Sequence, residues 1–280
     1  MTVKLIIVEG LPGSGKSTAA QMVFDILKSK GIDCELYSEG DFNHPADFDG
    51  VAYFDREEFN ILEKAHCESR DVLNRIKIEY INGYLIPYRK VVEEQQITFE
   101  NELFNDITKN DIYELPIDLH MELILSRWKD FTRNYVKKDK VVVFECCLIQ
   151  NPVTVSMIKN NCHRNITRAY INNLVNIILP LEPLLIYVDQ SSIKQSFMKA
   201  IDERPKQWID GFIDYYTNQG YGKSNNLNGI TGVIEILKQR NTFEKEIYDS
   251  LSFTKYKIDN SDFSLELLKE RINTILMKKF

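Results

Sequence analysis

The sequence has few of the features that mark metal-binding, secreted or membrane proteins. Its five cysteines form no C-x-x-C pair and show no Cys/His spacing typical of a metal site, which favours a reducing compartment. No apolar run approaches the roughly 20 residues that a membrane span requires. Residues 1–4 lead directly into an apolar segment, without the pattern of a signal peptide. We therefore expect a cytoplasmic protein that does not bind membranes.

The chain also lacks the excess of positive charge that would favour nucleic acid as a partner. Its formal charge of −6 would repel nucleic acid and anionic lipid, so any basic site must be local. There is no internal repeat or low-complexity linker, and an apolar content of 44% over 280 residues suffices for a sizeable core. The adjacent Cys146 and Cys147 are interpreted as small buried packing residues.

One glycine-rich stretch near the N-terminus carries the strongest signal. Residues 10–18 match the phosphate-loop pattern G-x-x-x-x-G-K-[ST] at every required position. The apolar, β-branched residues 3–8 before it predict a buried parallel strand, and residues 18–28 after it predict a helix with one apolar face. The residues expected to bind the nucleotide are Gly10, Gly13, Ser14, Gly15, Lys16, Ser17 and Thr18.

The composition of this stretch fits the chemistry of a bound triphosphate. Several backbone N–H donors must surround one point, and residues without a Cβ let the chain curl closely around phosphate oxygens. The start of the following helix adds unpaired N–H groups and the positive end of its dipole. In this arrangement Lys16 reaches the terminal phosphates of ATP, and the Ser17 hydroxyl binds Mg²⁺. The alternative is an ordinary glycine turn with Lys16 solvated.

Two further predicted strands end in acidic residues. Residues 33–38 lead into Glu39-Gly40-Asp41, and another apolar run ends in Glu145. Because ligands of parallel α/β sheets bind beyond the carboxyl ends of the strands, these acids are expected near the phosphates. Glu145 is a candidate Mg²⁺ ligand opposite Ser17, and Asp41 is a candidate to orient or deprotonate a substrate hydroxyl. In both cases the alternative is an acid that only caps the next turn.

A basic segment follows the next predicted strand, at residues 183–189. Residues 190–210 are expected to form a lid that closes basic side chains over the transferring phosphate. Arg204 is the preferred candidate there, because a guanidinium can bridge phosphate oxygens. The alternative is a charged helix balanced by its own acids. A fifth strand, at the edge of the sheet, is predicted at residues 255–259.

Residues 46–118 interrupt the alternation and are expected to form a mostly helical insertion on the substrate side. It includes a predicted helix at 69–80. In the following helical segment Arg127 lies off the apolar stripe and is a candidate ligand for a substrate anion. The alternative, which is the more common one for such a position, is a solvated or salt-bridged arginine. Glu39 and His44 are further candidates for contact with the substrate.

The sequence predicts five strands that alternate with helices, with a phosphate loop after the first strand, acids after the second and third, and a basic segment after the fourth. This pattern resembles the P-loop kinase superfamily of nucleoside, nucleotide and small-molecule kinases. The segment from Glu39 to Pro45 is similar to the Asp-Gly-Asp segment of gluconate and adenylylsulfate kinases, in which the second acid, here Asp41, contacts the accepting hydroxyl. Glu145 is similar to the acid that opens the Glu-Arg-Ser motif of deoxynucleoside kinases, although this chain continues with Cys146-Cys147. The resemblance implies a single α/β domain over residues 1–280 of the P-loop NTPase type, a three-layer sandwich in which helices flank a five-stranded parallel sheet.

The resemblance also implies an activity, namely ATP-dependent transfer of the γ-phosphoryl group to a hydroxyl of a small molecule, with Mg²⁺ as cofactor. Lys16, Arg204 and Asp41 would act in the transfer, and Glu39 is the alternative base. A nucleoside or nucleotide kinase is the nearest alternative function. A nucleotide-dependent regulatory ATPase or switch is an alternative of another class, although a guanine-specific Asn-Lys-x-Asp motif is absent. The acceptor and the oligomeric state are left open by the sequence.

Overall fold

The computed structural model describes residues 3–280, whose strands and helices are numbered in chain order. The strands are β1 (Leu5–Glu9), β2 (Cys34–Tyr37), β3 (Ala52–Asp55), β4 (Ile78–Tyr80), β5 (Gly83–Ile86), β6 (Val141–Glu145), β7 (Leu184–Asp189) and β8 (Thr254–Asp259). The helices are α1 (Lys16–Ser29), α2 (Arg56–Ala65), α3 (Arg70–Ile76), α4 (Tyr88–Glu93), α5 (Asn101–Lys109), α6 (Ile117–Tyr135), α7 (Gln150–Val153), α8 (Arg164–Ile178), α9 (Ile193–Glu203), α10 (Lys206–Thr217), α11 (Gly220–Ser224), α12 (Gly229–Ser250) and α13 (Leu265–Leu276).

The chain divides into two compact units. Unit 1 comprises the chain up to Glu39 together with Trp128–Phe280, and unit 2 comprises Gly40–Arg127. The segment predicted as an insertion, residues 46–118, lies within unit 2. Across residues 3–280, no helix combines the length and the apolar character that crossing a membrane requires.

Unit 1 is built on a five-stranded parallel sheet in the order β2-β6-β1-β7-β8. The three central strands are almost wholly apolar and are buried, as parallel strands covered by helices on both faces must be. β1 pairs with β6 at Val8↔Glu145 and with β7 at Glu9↔Tyr187, so the carboxyl ends of these strands lie at one edge of the sheet. The predicted α/β fold and the edge position of the last strand are confirmed.

The helix after the glycine loop packs its apolar face on this sheet. Val23 and Leu27 of α1 are fully buried and share a core cluster with Ile272 of α13. Burying a side chain of this kind stabilises the fold by about 1.5–3 kcal/mol. The helix ends at Ser29, with Lys30 as its C-cap, because Gly31 takes a φ of +74° that turns the chain away.

Unit 2 contains a three-stranded antiparallel sheet in the order β3-β5-β4, together with α2 to α5 and the first part of α6. Its core includes Phe54, Phe59, Leu62, Leu73, Ile76, Ile86, Val91, Leu103 and Ile107. A capping box begins α2: the Asp55 carboxylate accepts from the Glu58 N–H, and the Glu58 carboxylate accepts from the Asp55 N–H. The unit is mostly helical, but its sheet has no counterpart in the sequence prediction.

Part of the sheet of unit 2 is a hairpin of β4 and β5, which lies where the sequence analysis predicts the end of a helix. A helix is predicted at residues 69–80, but α3 ends at Ile76 and residues 78–80 form β4, so this part of the prediction is wrong. β4 and β5 are joined through Ile81-Asn82, with Tyr80 opposite Gly83. The dipeptide Asn82-Gly83 is a turn signal at this junction, although the turn itself is formed one residue earlier and Gly83 already belongs to β5. A Cβ at Gly83 would lie 2.1 Å from the Phe54 carbonyl oxygen, so only glycine fits there.

Candidate active site

The glycine loop between β1 and α1 has the backbone conformation that its sequence predicts. Gly10, Gly13 and Gly15 have positive φ angles of +154°, +84° and +91°. A Cβ at Gly10 would lie 2.5 Å from the Val188 carbonyl oxygen, so the loop passes too close to β7 for a larger residue. Within the described structure no side chain caps the N-terminus of α1, which leaves its first amides to an anion.

Lys16 is the first residue of α1 and is mostly buried. Its Nζ lies 3.4 Å from Glu39 Oε2 and 3.7 Å from Glu145 Oε1. Burial acts to lower the pKa of Lys16, but Glu39, Cys146 and Glu145 outweigh it and hold the pKa above its ordinary value. The ammonium is therefore charged, and two carboxylates hold it beside the loop in the place where phosphate oxygens would replace them.

Ser17 and Glu145 form a second pair in this site. The Ser17 hydroxyl donates a hydrogen bond to Glu145 Oε1. Glu145 ends β6 and is only 3% exposed, so the sheet fixes its carboxylate. A hydroxyl and a carboxylate in contact supply the oxygen ligands that Mg²⁺ prefers. In residues 3–280 no group of three or more His, Cys, Asp or Glu side chains could hold a metal alone, so a bound Mg²⁺ would need phosphate and water oxygens as well.

Glu39 follows β2 and places a half-exposed carboxylate beside Lys16. Its backbone N–H donates to Glu145 Oε2 at 3.4 Å, and its Oε1 accepts from Gln150 Nε2 at 3.2 Å. Burial acts to raise the pKa of Glu39, but Lys16 and the hydrogen bonds from Gln150 and Cys146 outweigh it and hold the pKa below its ordinary value. Glu39 is therefore an ionised acceptor at neutral pH. Cys146 is buried, as predicted, and so is its neighbour in the chain.

Gln150, which contacts Glu39, is itself fixed by a buried acid. Glu9, the last residue of β1, accepts hydrogen bonds from the backbone N–H groups of Leu148 at 2.7 Å, Ile149 at 2.8 Å and Gln150 at 3.0 Å. Its side chain is fully buried. Burial raises the pKa of Glu9 to about 7, although the three backbone N–H groups act in the opposite direction.

A buried arginine fixes the same residue from the other side. Arg240 of α12 donates from Nη2 to the Gln150 carbonyl oxygen at 2.9 Å and from Nη1 to the Tyr216 hydroxyl at 2.6 Å. Its Nε donates to Glu244 Oε1 at 2.6 Å, and the Tyr187 hydroxyl donates to Glu244 Oε2 at 2.8 Å. Both charged side chains are fully buried. Gln150 is thus held by a buried acid from β1 and a buried arginine from α12.

A cleft of about 860 Å³ within unit 1 brings these groups together. Besides the glycine loop, its lining includes Glu39, Glu145, Gln150, Lys199, Arg204, Trp208, Phe212, Asn260 and Phe263. Arg204, directly after α9, is exposed, and its guanidinium lies 5.5 Å from the Trp208 ring. The Ser196 hydroxyl of α9 donates to the Gly13 carbonyl oxygen at 2.9 Å, which ties this helix to the glycine loop. Closure of residues 190–210 over a phosphate stays a prediction.

The other three candidate residues lie in unit 2. The Asp41 carboxylate accepts from the Asn43 N–H at 2.8 Å, as in a capped turn. The Arg127 guanidinium donates to the His44 carbonyl oxygen at 3.1 Å and lies 4.9 Å from the Phe48 ring. Burial and the Arg127 charge lower the pKa of His44 to about 3, so its imidazole is neutral. Roles for these three residues toward a substrate stay predictions.

Sequence reasoning missed Glu9, Gln150 and Arg240. Glu9 had a signal, because an acid inside an otherwise apolar strand must find partners in the core. Arg240 and Glu244 also had one, because an arginine and a glutamate four residues apart on a helix can pair. Gln150 had none, because its contacts with Glu9, Glu39 and Arg240 come from segments far away in the chain.

Comparison with known proteins finds similarity to kinases, of which two examples follow. No family model matches the chain. A stretch of 130 residues, 44% of this chain, is 27% identical to a protein from Aeropyrum pernix described as "Probable adenylyl-sulfate kinase", of which it covers 70%. Among solved structures, deoxyadenosine kinase from M. mycoides with bound dATP is similar with a TM-score of 0.41 and 15% identity, over 97% of this chain and 98% of that one.

Proposed function

From the relationship of this chain to the P-loop kinase superfamily, we propose that it is an ATP-dependent phosphotransferase that moves the γ-phosphoryl group to a hydroxyl of a small molecule. The observation that carries the proposal is the convergence of Lys16, Ser17, Glu39 and Glu145 in one cleft. Lys16, Ser17 and Glu145 serve a bound nucleotide with its metal. Glu39 adds a proton acceptor beside the group to be transferred.

In the proposed mechanism the protein positions charge and does little covalent chemistry. The loop amides and Lys16 bind the β- and γ-phosphates, and Ser17 and Glu145 are the residues that would hold Mg²⁺. Bound Mg²⁺ would supply neutralisation of the charge on the phosphate oxygens. Arg204 approaches the γ-phosphoryl group from the α9 side, where its planar guanidinium can bridge two oxygens.

Glu39 is the base in this proposal, and Asp41 is the alternative. Glu39 is supported by its ionised carboxylate, which lies beside Lys16 and is oriented by Gln150. Once ATP occupies Lys16, this carboxylate is free to accept the proton of a hydroxyl that attacks the γ-phosphorus. Asp41 is supported by the resemblance of its segment to the Asp-Gly-Asp pattern.

Neutral variants separate the two bases. Glu39→Gln is expected to lower acceptor-dependent transfer by about 10²- to 10⁴-fold, because general-base catalysis contributes that much. Asp41→Asn is expected to retain most of the activity, and Glu235→Gln, on α12 but outside the lining of the cleft, is the matched control. Transfer is measured as ADP release that depends on the acceptor. The opposite ranking of the two variants would make Asp41 the base.

A nucleoside acceptor is the second candidate, because flat aromatic rings line the cleft. Trp208 and Phe212 lie with ring centroids 4.9 Å apart, and Phe212 stacks on Tyr216 at 4.2 Å. Such faces suit a planar base or the apolar face of a sugar ring. They favour a ring-bearing acceptor over a simple alcohol.

A thermal-shift screen tests the proposal and ranks the acceptors. Nucleosides, sugars, antibiotics and alcohols are added with ADP and Mg²⁺, because a ligand that binds the folded state raises the unfolding temperature by mass action. Each ligand that does so is then assayed for ADP release from ATP, with Lys16→Met as the inactive control. A regulatory ATPase would instead turn over ATP at the same rate with and without every acceptor, and that result would contradict a kinase.

A further inference from the structure

The Ser14 carbonyl in the glycine loop accepts hydrogen bonds from two buried side-chain amides. Gln190 Nε2, just after β7, donates to it at 3.2 Å. Asn260 Nδ2, just after β8, donates to it at 2.8 Å. Gln190 and Asn260 are 5% and 4% exposed. The donors come from the ends of two neighbouring strands, although the loop itself follows β1.

Further hydrogen bonds join the Gln190 amide to the backbone of Asn260 and tie both residues to the end of β7. Gln190 Nε2 donates to the Asn260 carbonyl oxygen at 2.8 Å, and the Asn260 N–H donates to the Asp189 carbonyl oxygen at 3.0 Å. The Gln190 N–H donates to the Asp189 carboxylate at 2.9 Å. The Gln190 amide cannot rotate away from Ser14 without also breaking its bond to the Asn260 carbonyl oxygen, and the backbone bond to Asp189 fixes the place from which the Asn260 side chain reaches Ser14.

Peptide geometry transmits this contact to the cleft. The C=O of one residue and the N–H of the next share a planar trans peptide and point in opposite directions. A Ser14 carbonyl held towards Gln190 and Asn260 therefore fixes the direction of the Gly15 N–H on the other side of the loop. Gly15 lines the cleft, where the phosphates of a nucleotide are proposed to bind.

The loop needs such a restraint because its glycines do not supply one. Gly15 has a φ of +91°, and glycine samples both signs of φ about equally, so an unrestrained peptide can flip. The fit at this point is close: a Cβ at Gly15 would lie 2.7 Å from Asn260 Nδ2. Glycine at position 15 thus makes room for the amide that holds the neighbouring peptide.

We propose that Gln190 and Asn260 are positioning residues that preorganise the Gly15 amide for phosphate, by holding the Ser14 carbonyl in one orientation. The inference rests on the nucleotide binding of the proposed function, but not on the choice of acceptor or on any transfer. The restraint lowers the cost of ordering the loop when phosphate binds, so it acts on affinity for the phosphate chain itself.

Binding of inorganic tripolyphosphate with Mg²⁺, measured by titration calorimetry, is the direct test. Gln190→Met and Asn260→Leu remove each donor with little change in volume and none in charge. Each variant is expected to bind tripolyphosphate about tenfold more weakly, the effect of one lost hydrogen bond, and the double variant more weakly still. Gln239→Met on α12 is the matched control for the substitution. Thr167→Val, which removes a buried hydrogen bond to Ser156 2.9 Å away, is the control for a general loss of stability. Both controls are expected to bind as the unchanged protein does.

A second measurement needs no variant that might fail to fold. In the unchanged protein the ¹⁵N relaxation of the Gly15 amide is expected to show a rigid peptide both without and with tripolyphosphate. A Gly15 amide that exchanges on the microsecond to millisecond timescale until tripolyphosphate is added would overturn the proposal. Folded Gln190 and Asn260 variants that bind within twofold of the unchanged protein would overturn it as well.

The outcomes distinguish this inference from the proposed function. If the unchanged protein binds tripolyphosphate but transfers phosphate to no acceptor, the proposed kinase activity fails and the inference stands. If it does not bind tripolyphosphate, both fail. If it binds and transfers, but the variants keep their affinity, the inference alone fails.

Discussion

The buried carboxyl group of Glu9 gives unit 1 an unusual dependence of stability on pH. Burial raises its pKa from the ordinary value of 4.5 to about 7 in the folded protein. The folded chain therefore binds a proton at Glu9 more tightly than the unfolded chain does. This contribution to stability is fully present below pH 4.5 and is lost as the pH rises through about 7. The gap between 4.5 and about 7 corresponds to a loss of about 3 kcal/mol.

Comparison with Glu9→Gln isolates this contribution, because the variant cannot titrate at that position. The free energy of unfolding is measured by urea denaturation at several pH values from 4.5 to 8. Tryptophan fluorescence reports unit 1 alone, because Trp128 and Trp208 are the two tryptophans of the chain and both lie in that unit. The difference between the unchanged protein and Glu9→Gln is expected to fall by about 3 kcal/mol over this range.

A difference that stays flat with pH would refute this reasoning. It would mean that the N–H groups of Leu148, Ile149 and Gln150 stabilise the ionised carboxylate enough to cancel the cost of burial. Other titrating groups are common to both proteins, so they drop out of the difference. The experiment thus decides which of two opposing effects controls one carboxyl group.

Three further predictions concern separate parts of the structure. Arg240→Met leaves Glu244 charged and buried, and is expected to lower the free energy of unfolding of unit 1 by about 3–5 kcal/mol. The double variant Arg240→Met, Glu244→Leu should regain most of this stability. A double variant no more stable than the single one would contradict this. Arg204→Ala is expected to lower kcat for transfer by about 10²- to 10³-fold with little change in the KM for ATP, because the guanidinium is proposed to act on the transferred group. Steady-state kinetics measures this, and an equal loss in the control Lys206→Ala would mean that only general charge matters. The free energy of unfolding of unit 2 is expected to fall by about 1.4 kcal/mol per pH unit as the pH falls from 6.5 to 4.5. The reason is that His44, with a pKa of about 3 in the folded protein, stays neutral there while the unfolded chain binds a proton. Hydrogen exchange of the β5 amides measures this, and the same dependence on pH in His44→Asn would argue against it.

The parallel sheet of unit 1 could be predicted because its signals are local. β1, β6 and β7 are apolar runs long enough for a buried strand, and the glycine loop fixes the position of the first. Once the strands are parallel, an acid at a strand end must lie near the loop, which is how Glu145 could be found. Glu39 was found by the same reasoning, although Asp41, two residues later, was favoured as the base.

The remaining features of the candidate site depend on contacts between segments that are far apart in the sequence. Gln150 owes its position to Glu9 and Arg240, which are 141 and 90 residues away. Nothing in the residues around Gln150 indicates those partners, because a polar residue after a strand is common in loops. The hairpin turn at Ile81-Asn82 is a different case. Its signal, the dipeptide Asn82-Gly83, was present in the sequence, but the apparent helical period of residues 69–80 was given more weight.

The contact between Asn260 and Ser14 also has a consequence for the order of events during synthesis. The two residues are 246 positions apart, and ribosomes add about 5–20 residues per second. The glycine loop is therefore made on the order of 10–50 s before the second amide that holds it. Until then a nascent chain has the whole phosphate-loop sequence but not the restraint on its peptide. Tight nucleotide binding is therefore expected only after Asn260 has been made.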